Sequence, residues 1–208
     1  VSIVLCTATQ PAFDSMHFFD RKISGLHNVV EIMGNQTEEL FKKLNRVKVE
    51  LPSDLNIPVE WPDIAEDLKQ YKQVLCIVSD RKSCRELHSL MPERTYHLSS
   101  LMCGQHRSNV IAEIKDNLMH GDTVRVISTQ LVEAGVDFDF PVVFRSFAGL
   151  DSLAQAAGRC NREGRLSEPG KLVVFIPTKK APAGYLRKAA ETAFNMLVAD
   201  PCDPLDIK

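Results

Sequence analysis

Two arginines and one glutamine stand close together in the segment Gln155–Gly164, which reads Gln-Ala-Ala-Gly-Arg-Cys-Asn-Arg-Glu-Gly. On a helix predicted over Asp151–Cys160, Gln155 and Arg159 share one face. Arg162 lies one turn further along. Guanidinium and amide groups are hydrogen-bond donors that suit phosphate oxygens and the negative charge that develops during phosphoryl transfer. The alternative interpretation is a solvated helix face whose arginines pair with the glutamates that follow.

A second polar segment, Ser128–Phe138, follows an apolar run that is typical of a buried strand. Its Thr129 supplies a hydroxyl at the strand end, where a hydroxyl and free backbone N–H groups suit a phosphate. Gly135 and Asp137 come next, and an aspartate two residues after a glycine suits a ribose hydroxyl. Loop capping by the same serine, threonine and aspartate side chains is the alternative that stays open.

A third segment, Cys6–Pro11, places Thr7 and Thr9 on either side of one alanine after an apolar run. Taken alone, this pattern is also typical of a plain turn. Ligands bind at the carboxyl ends of the strands in open parallel sheets. We therefore expect all three polar segments to lie at such strand ends.

The composition limits the class of protein. The 208 residues carry 25 basic and 27 acidic side chains, a balance that argues against a histone-like binder. The six cysteines show no C-x-x-C spacing, which predicts free thiols in a reducing, cytoplasmic setting and no metal site. No apolar run approaches the roughly 20 residues of a membrane span, so no membrane partner is expected. A start at Val1 without a methionine suggests a piece of a longer protein.

Apolar runs and helical patterns alternate along most of the chain. Strands are predicted at Arg46–Leu51, Gln73–Ser79, Arg94–Ser100, Thr123–Thr129, Pro141–Phe147 and Lys171–Ile176. Helices are predicted at Asp80–Met91, where Ser79 could act as the cap, and at Gln105–His120, Asp151–Cys160 and Tyr185–Ala199. Strands that are apolar without alternation predict an α/β fold, a doubly wound parallel sheet with helices on both faces. Residues 1–45 lack this alternation.

The order of the three polar segments resembles that of superfamily 2 helicases, where Thr-Ala-Thr precedes a Thr…Gly-x-Asp motif and then a Gln…Gly-Arg-x-x-Arg motif. Here the order is Thr7–Thr9, Thr129–Asp137 and Gln155–Arg162. Within that superfamily, the chain is most similar to the CRISPR-associated helicase–nuclease of type I systems, a likeness that includes His97–Ser100. The Cys160-Asn161 pair between the arginines differs from the Thr-Gly common in RNA helicases.

The resemblance implies a domain organisation. Residues 1–45 would hold the tail of a first helicase lobe and a linker. Residues 46–180 would form the second RecA-like helicase domain, and 181–208 a C-terminal helix and tail. The full-length protein would be an ATP-dependent helicase that moves 3′-to-5′ along single-stranded DNA in type I CRISPR antiviral defence.

The resemblance also implies a role for each motif residue. Arg159 and Arg162 would neutralise transition-state charge, and Gln155 would help to hold the phosphates or the attacking water. Gly135 and Asp137 would lie near the ribose. The residues expected to contact the nucleic-acid backbone are Thr129, Ser99, Ser100 and Arg107.

Thr7 and Thr9 would couple hydrolysis to strand movement. The chain has no G-x-x-x-x-G-K-[ST] loop, no Asp-Glu box before Thr7 and no His-Asp dipeptide. ATP and Mg²⁺ would therefore be held mainly by the first lobe, and the chain alone is expected to be inactive. The expected partners are single-stranded DNA, the first lobe and HD nuclease domain of the same full-length protein, and the CRISPR surveillance complex.

Two other functions stay open at this point. The chain could be the lobe of another superfamily 2 DNA or RNA helicase. It could also be a non-catalytic domain that uses the same fold only to bind nucleic acid or a partner.

Overall fold

The computed structural model describes residues 4, 15–18, 21–30, 32, 39 and 45–205. Thr7 and Thr9, and with them the predicted coupling motif, lie outside the described residues. The chain divides into two compact units, Val1–Asn45 and Arg46–Lys208.

The described part of the first unit contains a short antiparallel hairpin. Its strands are β1 (Met16–Phe18) and β2 (Arg21–Ile23). The assignment of residues 1–45 to the tail of a preceding lobe stays a prediction.

Six parallel strands form the sheet of the second unit, in the order β3-β8-β7-β4-β6-β5. Their bounds are β3 (Val47–Glu50), β4 (Gln73–Ile77), β5 (Tyr96–Leu98), β6 (Val124–Ser128), β7 (Val142–Ser146) and β8 (Gly170–Phe175). Every pairing between neighbouring strands is parallel. The predicted α/β parallel sheet is confirmed, and each predicted strand overlaps an observed one.

Five α-helices are described in this unit. They are α1 (Trp61–Lys69), α2 (Arg81–Ser89), α3 (Gly104–Met119), α4 (Leu150–Ala157) and α5 (Tyr185–Ala199). A 3-10 turn covers Gln130–Val132. Among the described residues, no helix is long and apolar enough to cross a membrane.

Helices cover both faces of the sheet because successive side chains of a strand point to opposite sides. On β4, Leu75 and Ile77 pack in a core that includes residues of α3, α4 and α5. Val74 and Cys76 of the same strand pack in a second core with residues of α1 and α2. The predicted layering is therefore present.

Helix α1 was not predicted from the sequence. A proline stands in its first turn, where the missing N–H costs no hydrogen bond. Ile64, Ala65 and Leu68 recur at helical spacing and are at most 2% exposed. Burial of this face against the sheet stabilises the helix.

Helix α2 is capped by Asp80 and not by Ser79. Oδ1 of Asp80 accepts the backbone N–H of Lys82 at 2.9 Å and of Ser83 at 3.0 Å. A carboxylate at this position also interacts favourably with the positive end of the helix dipole.

Helix α4 ends at Ala157, earlier than predicted. Arg159 is therefore off the helix, and the predicted alignment of Gln155 with Arg159 on one helical face is wrong. The physical reason is a competing backbone pairing. The Phe140 N–H donates to the Arg159 carbonyl at 2.9 Å, and a parallel bridge joins Phe140 to Cys160.

Helix α5 packs on the same core as the sheet. Ala193 and Leu197 are 2% and 4% exposed. The Phe194 ring meets the Phe147 ring edge to face, with the centroids 6.5 Å apart. The helix expected within 181–208 is thus an integral part of the second unit.

Gly170, the first residue of β8, lies where a side chain has no room. A Cβ added there would be 2.6 Å from Cys160 Sγ and 2.8 Å from Asn161 Cβ. We expect Gly170→Ala to lower the free energy of unfolding by about 1–3 kcal/mol, because overpacking displaces these buried neighbours. Chemical denaturation of the 208-residue chain measures the loss.

Gly104→Ala is the matched control, because no atom beyond the chain neighbours and the helix's own backbone lies within 4 Å of the Cβ position at Gly104. An equal loss of stability in both variants would contradict the close packing at Gly170.

Candidate functional site

The segment 129–137 connects residues predicted to contact nucleic acid with residues predicted to bind the nucleotide. It leaves the carboxyl end of β6, passes through the turn Gln130–Val132 and leads towards Phe140, just before β7 begins. The Arg159 carbonyl accepts the Phe140 N–H, so this arginine lies near the amino end of β7. The prediction that the Gln155–Gly164 segment follows the carboxyl end of a strand is therefore wrong. Helix α4 must run back along the sheet because β7 and β8 are parallel.

Arg159 is 7% exposed, and its guanidinium binds backbone carbonyls. Nε donates to the Val132 carbonyl at 2.7 Å, and Nη2 donates to the Glu133 carbonyl at 2.6 Å. Nη1 donates to the Gly158 carbonyl at 3.2 Å. These charge-assisted bonds join the two motifs into one unit. The role of Arg159 at a phosphate stays a prediction, and it requires that the guanidinium leave these carbonyls.

Arg162 is the more accessible of the two arginines, with 42% of its side chain exposed. Its Nη2 lies 3.1 Å from Oδ1 of Asp137. Its backbone N–H donates to Oδ1 of Asp139 at 2.7 Å. The structure thus brings together the predicted phosphate-binding arginine and the predicted ribose-binding aspartate. An exposed ion pair of this kind is typically worth about 1 kcal/mol or less, so a ligand can replace it.

The loop that carries Arg162 is fixed by Asn161 and Arg46, two residues for which the sequence predicted no role in the site. Asn161 has the left-handed φ of 43° and is 3% exposed. Its Nδ2 donates to the Arg46 carbonyl at 3.3 Å, and its Oδ1 accepts the Leu166 N–H at 3.3 Å. Nη1 of Arg46 in turn donates to the Arg162 carbonyl at 3.0 Å. Asparagine tolerates this backbone conformation better than most residues do.

Gln155 and Gly135 are the other predicted nucleotide-binding residues. Gln155 is half-buried on α4. Gly135 is exposed and has a φ of 71°, a conformation that favours glycine. No atom beyond its two chain neighbours lies within 4 Å of the position that a Cβ would take at Gly135, so the space beside this residue is open to a ligand.

The residues predicted to contact nucleic acid follow two neighbouring strands. Leu98 of β5 is opposite Ser128 of β6, and the Thr129 N–H donates to the Leu98 carbonyl at 3.1 Å. Ser99 and Thr129 therefore lie side by side, at 3% and 7% exposure. Ser100 is exposed.

Arg107 completes the predicted nucleic-acid set from the first turns of α3. It is half-buried, and its backbone N–H donates to the Cys103 carbonyl at 3.0 Å. Because Ser99 and Thr129 are buried, Ser100 and Arg107 offer more of their side chains to solvent.

A buried ion pair links the Thr129–Asp137 motif to strand β7, and it was not predicted from the sequence. Nε of Arg145 in β7 lies 2.8 Å from Oε1 of Glu133, although the N–H is not aligned with the oxygen for a hydrogen bond. The Arg145 side chain is fully buried, and that of Glu133 is 7% exposed. The signal in the sequence is an arginine inside an apolar strand and a glutamate in an apolar turn.

Burial shifts the pKa of both partners towards the neutral form. It raises the pKa of Glu133, while the charges of Arg145 and Arg159 oppose that shift and Asp151 adds to it. Burial lowers the pKa of Arg145, while Glu133 opposes that shift. Each charge therefore depends on the other for its stability inside the protein.

No group of three or more His, Cys, Asp or Glu residues in the described part of the chain could hold a metal ion.

Comparisons with known proteins identify similar chains. Residues 70–165, which contain both motifs and the Glu133–Arg145 pair, match the Cas3-like family described as CRISPR-associated nuclease/helicase Cas3, C-terminal. A CRISPR-associated nuclease/helicase Cas3 of Haloferax volcanii is 42% identical over 90 residues, which are 37% of this chain and 10% of that protein. The Cas3 of Methanothermobacter thermautotrophicus is 26% identical over 171 residues, 77% of this chain and 20% of that protein. Residues 70–165 are therefore similar to the C-terminal part of Cas3 nuclease/helicases. The matched part of the chain spans between 10% and 20% of the length of these two relatives.

Solved structures share the fold of the second unit. The crystal structure of T. fusca Cas3 matches with a TM-score of 0.53 and 20% identity, over 72% of this chain and 19% of that chain. T. fusca Cas3–AMPPNP has a TM-score of 0.53 and 23% identity, over 71% and 20% of the two chains. A chain of a CRISPR RNA-guided surveillance complex, pre-nicking, has a TM-score of 0.56 and 22% identity, over 78% and 23%. The RecA-like fold is thereby confirmed.

The Arg145→Met change tests the buried Glu133–Arg145 pair. Removal of the cation should destabilise the chain by about 3–5 kcal/mol near pH 7, because the Glu133 carboxylate stays buried without its partner. A carboxyl whose pKa is raised on folding binds its proton more tightly in the folded state. Its unfavourable effect is therefore absent at low pH and grows as the pH rises above the ordinary value of 4.5. Denaturation curves between pH 4.5 and 8 should show this loss.

The double variant Glu133→Leu with Arg145→Met is the control, since it has no carboxyl to ionise. The difference in stability between the single and double variants should widen with rising pH. A constant difference would contradict a buried, ionised Glu133.

Proposed function

We propose that this lobe is the second motor domain of an ATP-dependent translocase that moves 3′-to-5′ along single-stranded DNA in type I CRISPR defence. In this proposal, a first lobe binds ATP with Mg²⁺, and the present lobe supplies arginines to the bound nucleotide. The chain alone would be inactive, and the complete protein would work in the cytoplasm.

The observation that carries the proposal is the exposed Arg162–Asp137 pair at 3.1 Å. A guanidinium and a carboxylate stand together on an accessible surface, next to the open backbone of Gly135. A phosphate can take the place of the aspartate on Arg162, and the freed Asp137 carboxylate can then accept a ribose hydroxyl. Both exchanges replace a weak exposed pair by interactions with a multiply charged ligand.

We assign different parts to the other nucleotide-site residues. Arg162 would reach the transferred phosphate first, because Arg159 is engaged with three carbonyls. Arg159 would add its charge once the lobes close. Gln155, half-buried on α4, would hold a phosphate or the attacking water.

The proposed DNA contacts lie at the carboxyl ends of β5 and β6. Ser100 and Arg107 would offer a hydroxyl and a guanidinium to phosphates of the tracked strand. Ser99 and Thr129, at 3% and 7% exposure, would contact it only through the small part of their surface that is exposed. Such contacts follow the backbone and carry little sequence information, which suits a motor.

The complete protein would contain further parts. We propose a first lobe with the phosphate-binding loop, an HD nuclease domain, and recruitment by a CRISPR surveillance complex. The similar T. fusca Cas3 solved with AMPPNP, an ATP analogue, supports nucleotide binding. The similar chain in a surveillance complex supports that partner.

Arg162→Ala in the full-length protein tests the proposal. We expect kcat for DNA-stimulated ATP hydrolysis to fall by about 10³-fold or more, because an arginine that stabilises phosphoryl-transfer charge contributes roughly 10³–10⁵ in rate. Affinity for single-stranded DNA should be kept, because the DNA residues lie at the other end of the sheet. Steady-state ATPase assays and a DNA-binding titration give the two readouts.

Arg165→Ala is the matched control, since Arg165 lies in the same loop and is exposed in an ion pair with Glu163. The control should keep full activity. Unchanged ATPase in the Arg162 variant would reject the assignment. The isolated chain serves as a second control, and turnover that Arg162→Ala abolishes there would contradict its expected inactivity.

The proposed polarity has its own test. A motor that moves 3′-to-5′ arrives at the 5′ end of its strand, so a protein block bound at the 5′ end should be displaced faster than one at the 3′ end. Displacement assays with the full-length protein and ATP measure both rates. Faster displacement from the 3′ end, or equal rates, would contradict the polarity.

A further inference from the structure

Arg145 is anchored at the carboxyl end of the sheet. Its Nη1 donates to the Ser146 carbonyl at 2.9 Å and to Ser146 Oγ at 2.8 Å. Longer contacts reach Ser79 Oγ at 3.3 Å and the Ile77 carbonyl at 3.5 Å. The guanidinium therefore spans the ends of β4 and β7, two neighbouring strands in the middle of the sheet.

Glu133 is held from two directions. Its carboxylate faces Arg145 at 2.8 Å, and its backbone carbonyl accepts Nη2 of Arg159 at 2.6 Å. One residue thus connects the sheet, the turn Gln130–Val132 and the loop of the nucleotide-site arginines. Thr129 lies directly before this turn, so displacement of the turn would move a DNA-facing residue.

Stability alone does not account for this pair. A buried ion pair loses solvation that its attraction often fails to restore, and apolar residues of similar volume are frequently as stable or more so. Within the described part of the chain, Nη2 of Arg145 has no hydrogen-bond partner. What the pair can add is a preferred position for Glu133, a role that buried polar groups have in some proteins.

We propose that Glu133 and Arg145 are positioning residues that couple DNA binding to ATP hydrolysis by holding the 130–133 turn against Arg159. The inference rests on the proposed function and extends it to residues that touch neither ligand. DNA bound at Thr129 would displace the 130–133 turn. Because Glu133 holds this turn to Arg159, the loop that carries Arg159 would move with it.

The double variant Glu133→Leu with Arg145→Met tests this role in the full-length protein. It removes both charges, so no unpaired charge is left buried and the fold should survive. We expect kcat for DNA-stimulated hydrolysis to fall about 10-fold to 100-fold, as for small misplacements of reacting groups. KM for ATP, Kd for single-stranded DNA and the thermal unfolding midpoint should stay unchanged. The ratio of DNA-stimulated to DNA-free turnover should fall with kcat.

Lys69→Gln with Glu66→Gln is the matched control, because it neutralises an exposed ion pair on α1, 2.7 Å between charged atoms. This control should keep both kcat and the stimulation ratio. Loss of DNA affinity or of the unfolding midpoint in parallel with kcat would overturn the positioning role in favour of a purely structural one.

The Arg162→Ala variant separates the two proposals. If it loses ATPase while the Glu133/Arg145 double variant keeps normal kcat and stimulation, the positioning role alone is overturned. If both variants keep normal turnover, the proposed function is overturned and the positioning role with it.

Discussion

The hydrogen bonds from Arg159 to the carbonyls of Val132 and Glu133 are the contact on which the arrangement of the site depends. The two motifs belong to different connections of the sheet, one after β6 and one after α4. A guanidinium presents parallel donors in a fixed plane, so one side chain can bind two successive carbonyls. A lysine has no such fork. The contact therefore fixes the distance between the turn that we propose to face DNA and the loop that we propose to face the nucleotide.

The elements that could be predicted best from the sequence are the strands that are buried on both faces. Strands such as β4 and β6 are continuous apolar runs, and a parallel sheet is the structure that buries such runs on both sides. Helix α1 escaped prediction because Trp61–Lys69 carries an early proline and four charged residues, and only three buried positions reveal its periodicity. The length of α4 was overestimated because local propensity does not register the backbone pairing with Phe140.

The residues of the candidate site also fall into two groups, those that the sequence predicts and those that it does not. Arg159, Arg162 and Asp137 could be predicted as site residues because their types and order form a motif that is visible in the sequence. Glu133 and Arg145 were not, since their meaning lies in a contact across 12 positions that links a turn to a strand. Arg46 is a clearer example, because its Nη1 donates to the backbone carbonyl of Arg162, 116 positions away. For such residues, the sequence predicts only that a charged side chain inside an apolar run has a partner. It does not predict which residue that partner is.

The three arginines differ in what it would take to release them. Arg162 is held by an exposed aspartate in a solvent that screens the pair, so a phosphate can replace that partner at little cost. Arg159 would have to leave two short hydrogen bonds to carbonyls, and these would then need other donors. Arg145 cannot leave Glu133 without exposing two buried charges to an apolar surrounding. In the proposed function, the lobe would bind a ligand repeatedly and keep its geometry each time. This gradient suits that function, because the exchangeable contact is outermost and the fixed one lies in the core.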